Sequence, residues 1–134
     1  MEKLIPFTIN DLAKVTHHRN GEIKFGEKMI TLPKDKELSS FLKECEAQYV
    51  LFGIPEDIGV RANFGRPGAA SAWDCAIASI ANIQHNRFCK GNQIIVLGKL
   101  DVSEEMEAVK ELDFTNIKDR KKFSDLVEKI DKEV

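Results

Sequence analysis

Two short apolar runs, and the pattern between them, constrain this chain more than any other feature. Tyr49-Val50-Leu51-Phe52-Gly53-Ile54 and Gln93-Ile94-Ile95-Val96-Leu97-Gly98 are almost uninterrupted and rich in strand formers. A strand that is apolar on both faces suits a buried parallel sheet better than a half-exposed antiparallel one. Between the runs, Ala69, Ala72, Trp73, Ala76, Ile77, Ile80 and Ile83 fall on one stripe at helical spacing, and Lys90-Gly91-Asn92 marks a turn after it. Strand, helix, strand predicts a parallel βαβ crossover, which requires helices covering the sheet. Trp73 reads as part of that covered stripe.

The flanks differ in character. Residues 49–98 carry only seven charged side chains, whereas the other 84 positions carry 35. The middle therefore reads as core and the flanks as solvated cover. Residues 1–47 read as a lead-in: a short hairpin, with 22–25 and 28–31 around Gly26-Glu27, then a helix over 35–46 bearing Leu38, Phe41, Leu42 and Cys45 on one face. After the second strand, Asp101-Val102-Ser103-Glu104-Glu105 has the capping and acidic character of a helix start, with Glu104, Glu105 and Glu107 solvated. The last segment places Phe123, Leu126, Val127, Ile130 and Val134 on one face of a charged helix. Two strands make a thin sheet, so residues 48–134 are expected to be the front part of a larger α/β domain.

Length and charge narrow the function classes. The 134 residues suit one domain, and a net charge of −2 argues against a nucleic-acid partner. Cys45, Cys75 and Cys89 are odd in number and lack paired spacing, which fits neither a disulfide framework nor a zinc site. No apolar run resembles a secretory leader or reaches the roughly 20 residues of a membrane span. A soluble cytoplasmic protein is the expectation.

The segment between strand and helix, Pro55 to Gly68, is fourteen residues long, whereas βα connections usually run about two to six. It follows the carboxyl end of a strand, where open α/β sheets bind ligands. Gly59, Gly65 and Gly68 are placed to shape it, through positive φ or close backbone approach. Gly68-Ala69 would open the helix with free amide donors. Asn63 offers directional hydrogen bonds, and Arg66 a bidentate grip on a carboxylate. Pairing of Arg66 with Asp57 to hold the loop is a comparable use. No phosphate-cradling glycine pattern is present.

At these residues the sequence resembles a family. Gly53-Ile54-Pro55-Glu56-Asp57-Ile58-Gly59-Val60-Arg61-Ala62-Asn63-Phe64-Gly65-Arg66-Pro67-Gly68-Ala69 is similar to the first strand and loop of the ureohydrolases, the arginase, agmatinase and formimidoylglutamase group. The Gly-Val-Arg-x-Asn-x-Gly-Arg-x-Gly-Ala string is closest to formimidoylglutamases, and Gly98-Lys99-Leu100 is similar to their Gly-Asp-Leu. The likeness covers roughly residues 48–100; Ser71-Ala72-Trp73-Asp74-Cys75-Ala76 departs from the Gly-Pro-x-x-Ile/Leu-Arg of many members. It implies a three-layer αβα fold and hydrolysis of a guanidino or formimino C–N bond by two bridged Mn²⁺ ions. It also implies a small-molecule substrate, contacted by Asn63, Arg66 and Asp57, with Asp57 shaping the loop as well. The family's metal-binding Gly-Gly-x-His, Asp-x-His-x-Asp and Asp-x-Asp segments are absent here. The implied role is the N-terminal portion of such an enzyme, holding no metal or cofactor and inactive alone.

Two other readings stand beside it. One is a stand-alone, non-catalytic α/β module whose loop binds a small anion or a protein. The other is a structural domain forming a homo-oligomer through an exposed sheet edge. His85 and Cys89, four apart, are read as a helix-end histidine near a buried cysteine rather than as metal ligands, and His17-His18 as a solvated turn.

Overall fold

The computed structural model describes residues 3–134, which form a mixed α/β protein around a four-stranded sheet. Six α-helices occur among the described residues. The chain divides into two compact units, one of residues 6–53 and 74–99 and one of residues 3–5, 54–73 and 100–134.

The first unit is organised by β4 (Ile94–Leu100), whose Ile95, Val96 and Leu97 are buried. β3 (Tyr49–Gly53) pairs with it in parallel, Val50 against Ile95 and Leu51 against Val96. A bulge then carries Phe52 past Leu97 to Gly98, whose φ of +137° suits glycine. The predicted βαβ unit is thus present, with α4 (Ala72–Ala81) as its crossover helix. The helix stripe is less covered than its pattern implies: Ile77 and Ala81 are buried, whereas Ala72, Ala76 and Ile83 are exposed.

The lead-in adds to the sheet, which is a correction of the two-stranded expectation. β2 (Ile30–Thr31) pairs in parallel with β4, Ile30 against Ile95 and Thr31 against Val96. β1 (Leu4–Pro6) also neighbours β4, and just after it the Phe7 N–H donates to the Leu97 carbonyl at 2.9 Å. The predicted hairpin does not form. Phe25–Glu27 is a 3-10 turn, and Lys24 bridges Gln84 instead of its own return strand. Packing explains the change. A Cβ on Gly26 would lie 1.8 Å from Thr16 Oγ1, so this glycine admits the end of α1 (Ile9–Val15) rather than turning a hairpin. Ile30 gains more by packing on the cluster of Phe41, Ile95 and Leu97 than by pairing locally.

Local chemistry fixes the surrounding helices. Thr8 and Asp11 form a capping box on α1: Thr8 Oγ1 accepts from the Asp11 N–H at 3.2 Å, and Asp11 Oδ2 accepts from the Thr8 N–H at 3.1 Å. The Glu37 carboxylate accepts from the Ser39 and Ser40 N–H groups and starts α2 (Leu38–Glu44), which buries Phe41. Asn82 joins the ends of α1 and α4, donating to the Val15 carbonyl at 2.7 Å and accepting from the His17 N–H at 2.8 Å.

The second unit contains α3 (Ile58–Ala62), α5 (Ser103–Ala108) and α6 (Ile117–Asp131), with α6 packed on α3. Ile58, Val109 and Phe123 are fully buried. Of the apolar face predicted for α6, Phe123 and Ile130 are buried and Leu126 and Val127 half-buried, while Val134 is exposed. Glu105 corrects the expectation of a solvated helix start, being only 2% exposed. Its Oε1 accepts from Lys129 Nζ at 2.7 Å and Lys3 Nζ at 3.0 Å, and its buried Oε2 has no partner among the described residues. Those hydrogen bonds, Lys129's above all, hold its carboxyl down at about 2 against the ordinary 4.5. Lys3 lies 102 positions away, so the local pattern carried no sign of this pairing. Among the described residues no helix is long and apolar enough to cross a membrane.

Candidate functional site

The segment 55–68 is not a bare loop, because it contains α3. Glu56 Oε2 accepts from the Gly59 N–H at 2.9 Å, supplying an acceptor for a first-turn amide. Asp57, 3% exposed, then closes the segment on itself. Its Oδ1 accepts from Arg61 Nε at 2.8 Å, and its Oδ2 from the Gly68 N–H at 2.7 Å. Pairing with Asp57 therefore falls to Arg61, one turn along α3, and not to Arg66. The Gly68 amide expected to be free is taken by the same carboxylate. Helix α4 also begins later than the glycine suggests, after a 3-10 turn over Ala69–Ser71.

The three glycines have different physical uses. Gly68 has φ +136°, a conformation that would strain any L side chain, although open space surrounds it. Gly65 has the opposite constraint: its added Cβ would meet Val60 Cγ1 at 2.6 Å, and its N–H donates to the Val60 carbonyl at 2.8 Å. Gly59 sits within α3, where a Cβ would meet nothing closer than Glu56 Oε1 at 3.6 Å.

Asn63 and Arg66 are separated in environment. Asn63 Nδ2 donates back to the Gly59 carbonyl at 3.0 Å, and the residue lines a cavity of about 290 Å³ between α3 and α6. Arg66 is exposed, has no hydrogen bond or ion pair among the described residues, and is not part of that cavity. Between them Phe64 holds φ +59°, which a bulky residue seldom adopts, with the Arg120 guanidinium 5.3 Å from its ring centroid. Arg120, Ser124, Glu128 and Asp131 of α6 complete the cavity's polar lining. Sequence reasoning missed them; the available signal was their recurrence on one polar face of α6.

The remaining candidates have structural partners. His85 Nδ1 accepts from the Gly91 N–H at 3.0 Å, and its ring stands edge-on to Phe25. His18 Nδ1 lies 3.3 Å from Glu27 Oε2. Cys75 and Cys89 are exposed and Cys45 half-buried, all three as free thiols; the buried environment expected for Cys89 is not found. Among the described residues no group of three or more His, Cys, Asp or Glu side chains is arranged to hold a metal ion.

No family model, curated protein or solved structure matches the chain.

Proposed function

We propose that this chain is the N-terminal portion of a ureohydrolase-like enzyme, one that hydrolyses a guanidino or formimino C–N bond. Its strands would belong to a three-layer αβα sheet, and segment 55–68 would face the substrate. One observation carries the reading. A parallel β3–α4–β4 unit sets that segment at the carboxyl end of β3, where α/β sheets bind ligands. There Asp57 holds its shape and Arg66 keeps an unpaired guanidinium.

In this reading Asp57 organises the segment, and Arg66 grips a substrate carboxylate by paired N–H donors. Asn63 offers its side-chain oxygen to substrate N–H groups. The family chemistry would require a bridged pair of Mn²⁺ ions to supply a hydroxide nucleophile. The described side chains do not fit such a pair, since His85 and His18 are held by Gly91 and Glu27 and no carboxylate cluster accompanies them among the described residues.

Metal analysis and an assay of amidine hydrolysis test the reading together. The purified chain should retain no stoichiometric Mn²⁺ and release no ammonia, urea or formamide from linear amidines. Stoichiometric Mn²⁺ would overturn the assignment of the metal centre to another part of the enzyme. The coding sequence following Val134 tests the family, since a strand running into Gly-Gly-x-His supports it and a stop codon refutes it.

A further inference from the structure

We infer that the cavity between α3 and α6 is a binding site for a small dipolar organic ion, its carboxylate at the Arg120 end and its ammonium at the Asp131 end. Arg120, Ser124, Val127, Glu128 and Asp131 line one side at helical spacing, so a single face of α6 supplies one cation and two carboxylates. A rise of 1.5 Å per residue sets Arg120 and Asp131 roughly 16 Å apart along the axis. They are too distant to be partners in an i,i+4 pair. Glu128 is already paired, to Lys132 at 2.9 Å. Asp131 and Ser124 have no side-chain partner among the described residues.

The Arg120 guanidinium lies over the Phe64 ring, which occupies one face of the group. No carboxylate of the protein takes its N–H edge among the described residues, so that edge remains for an anion. Phe64 reaches this place only through its left-handed backbone, φ +59°, and strain of this kind concentrates at functional sites. Asn63 has committed its Nδ2 to the Gly59 carbonyl, which leaves its oxygen as an acceptor beside the cavity. At about 290 Å³ the space lies at the lower end of ligand pockets. A lone anion or cation would satisfy one end only. The inference shares Asn63 with the ureohydrolase reading but needs neither a metal nor a bond cleavage, so binding without hydrolysis supports it alone.

Gly59 gives a direct test, since its Cβ would lie 4.0 Å from Val127 Cγ2 with no steric conflict. A longer side chain there fills the cavity. The chain is titrated with ε-aminocaproate, with caproate and with hexylamine, using calorimetry and backbone amide shifts. We expect saturable binding of ε-aminocaproate, shifts centred on Asn63, Phe64 and α6, and about tenfold weaker binding of each singly charged analogue. Arg120→Gln should reduce ε-aminocaproate to the level of hexylamine, and Asp131→Asn to that of caproate. Gly59→Leu should abolish binding with an unchanged circular dichroism spectrum; Ser124→Leu fills the same space if that variant fails to fold. Absence of binding at millimolar ligand, equal affinity for all three probes, or full binding by a folded cavity-filling variant overturns the inference.

Discussion

Replacing Asp57 by Asn changes almost nothing in volume and tests what holds segment 55–68 together. The carboxylate is 3% exposed and accepts one hydrogen bond on each oxygen, from Arg61 at 2.8 Å and Gly68 at 2.7 Å. The amide of Asn keeps one acceptor and turns a donor toward the other N–H. Hydrogen bonds to a charged group contribute about 1.5–3 kcal/mol each. The Arg61 side chain is 20% exposed, and Gly68 is exposed as well, so both freed donors regain water and the lower figure applies. Asp57→Asn should therefore cost about 2 kcal/mol and Asp57→Ala about 3 kcal/mol. Urea unfolding followed by fluorescence of Trp73, the sole tryptophan, measures both. A double-mutant cycle with Arg61→Met should return a coupling of about 1–2 kcal/mol, and amide exchange at Gly68 should accelerate. Stability within about 0.5 kcal/mol of the parent chain, together with an unchanged Gly68 exchange rate, would refute this account of the segment.

Two further perturbations separate local from long-range effects. The Glu105 carboxyl is depressed to about 2 in the folded chain against an ordinary 4.5. Its contribution is therefore complete above the ordinary value and is lost as pH falls toward 2; denaturation midpoints measured from pH 6 downward should show that loss, and Glu105→Gln should flatten it. Gly26→Ala forces a Cβ against Thr16 Oγ1 and should destabilise by about 2 kcal/mol. Adding Thr16→Ala removes Oγ1 and Cγ2 and leaves only its Cβ, 2.9 Å from the new one, so recovery of part of the loss in thermal melts is the expected sign of a steric cause.

The central βαβ unit was legible because its two strands are apolar on both faces and its helix keeps one period throughout. The lead-in was not. β1 and β2 have three and two residues, too few for any period, and the Gly26-Glu27 pair resembles a hairpin turn until Thr16 is brought beside it. In the candidate site, Asp57, Asn63 and Arg66 stood out by residue type and position. Their partners did not, because Asp57 has two arginines within reach in sequence and only folding α3 selects Arg61.

The sequence by itself determined the parallel crossover, the long segment at the end of its first strand and the amphipathic last helix. Periodicity and composition act locally and survive without neighbours. Tertiary structure alone decided which strands flank β4, where the buried charge of Glu105 finds Lys3 and Lys129, and which face of α6 meets Asn63. Each of those outcomes joins residues distant in the chain. Burial and hydrogen-bond satisfaction select among such pairings, and neither exists until the elements have packed.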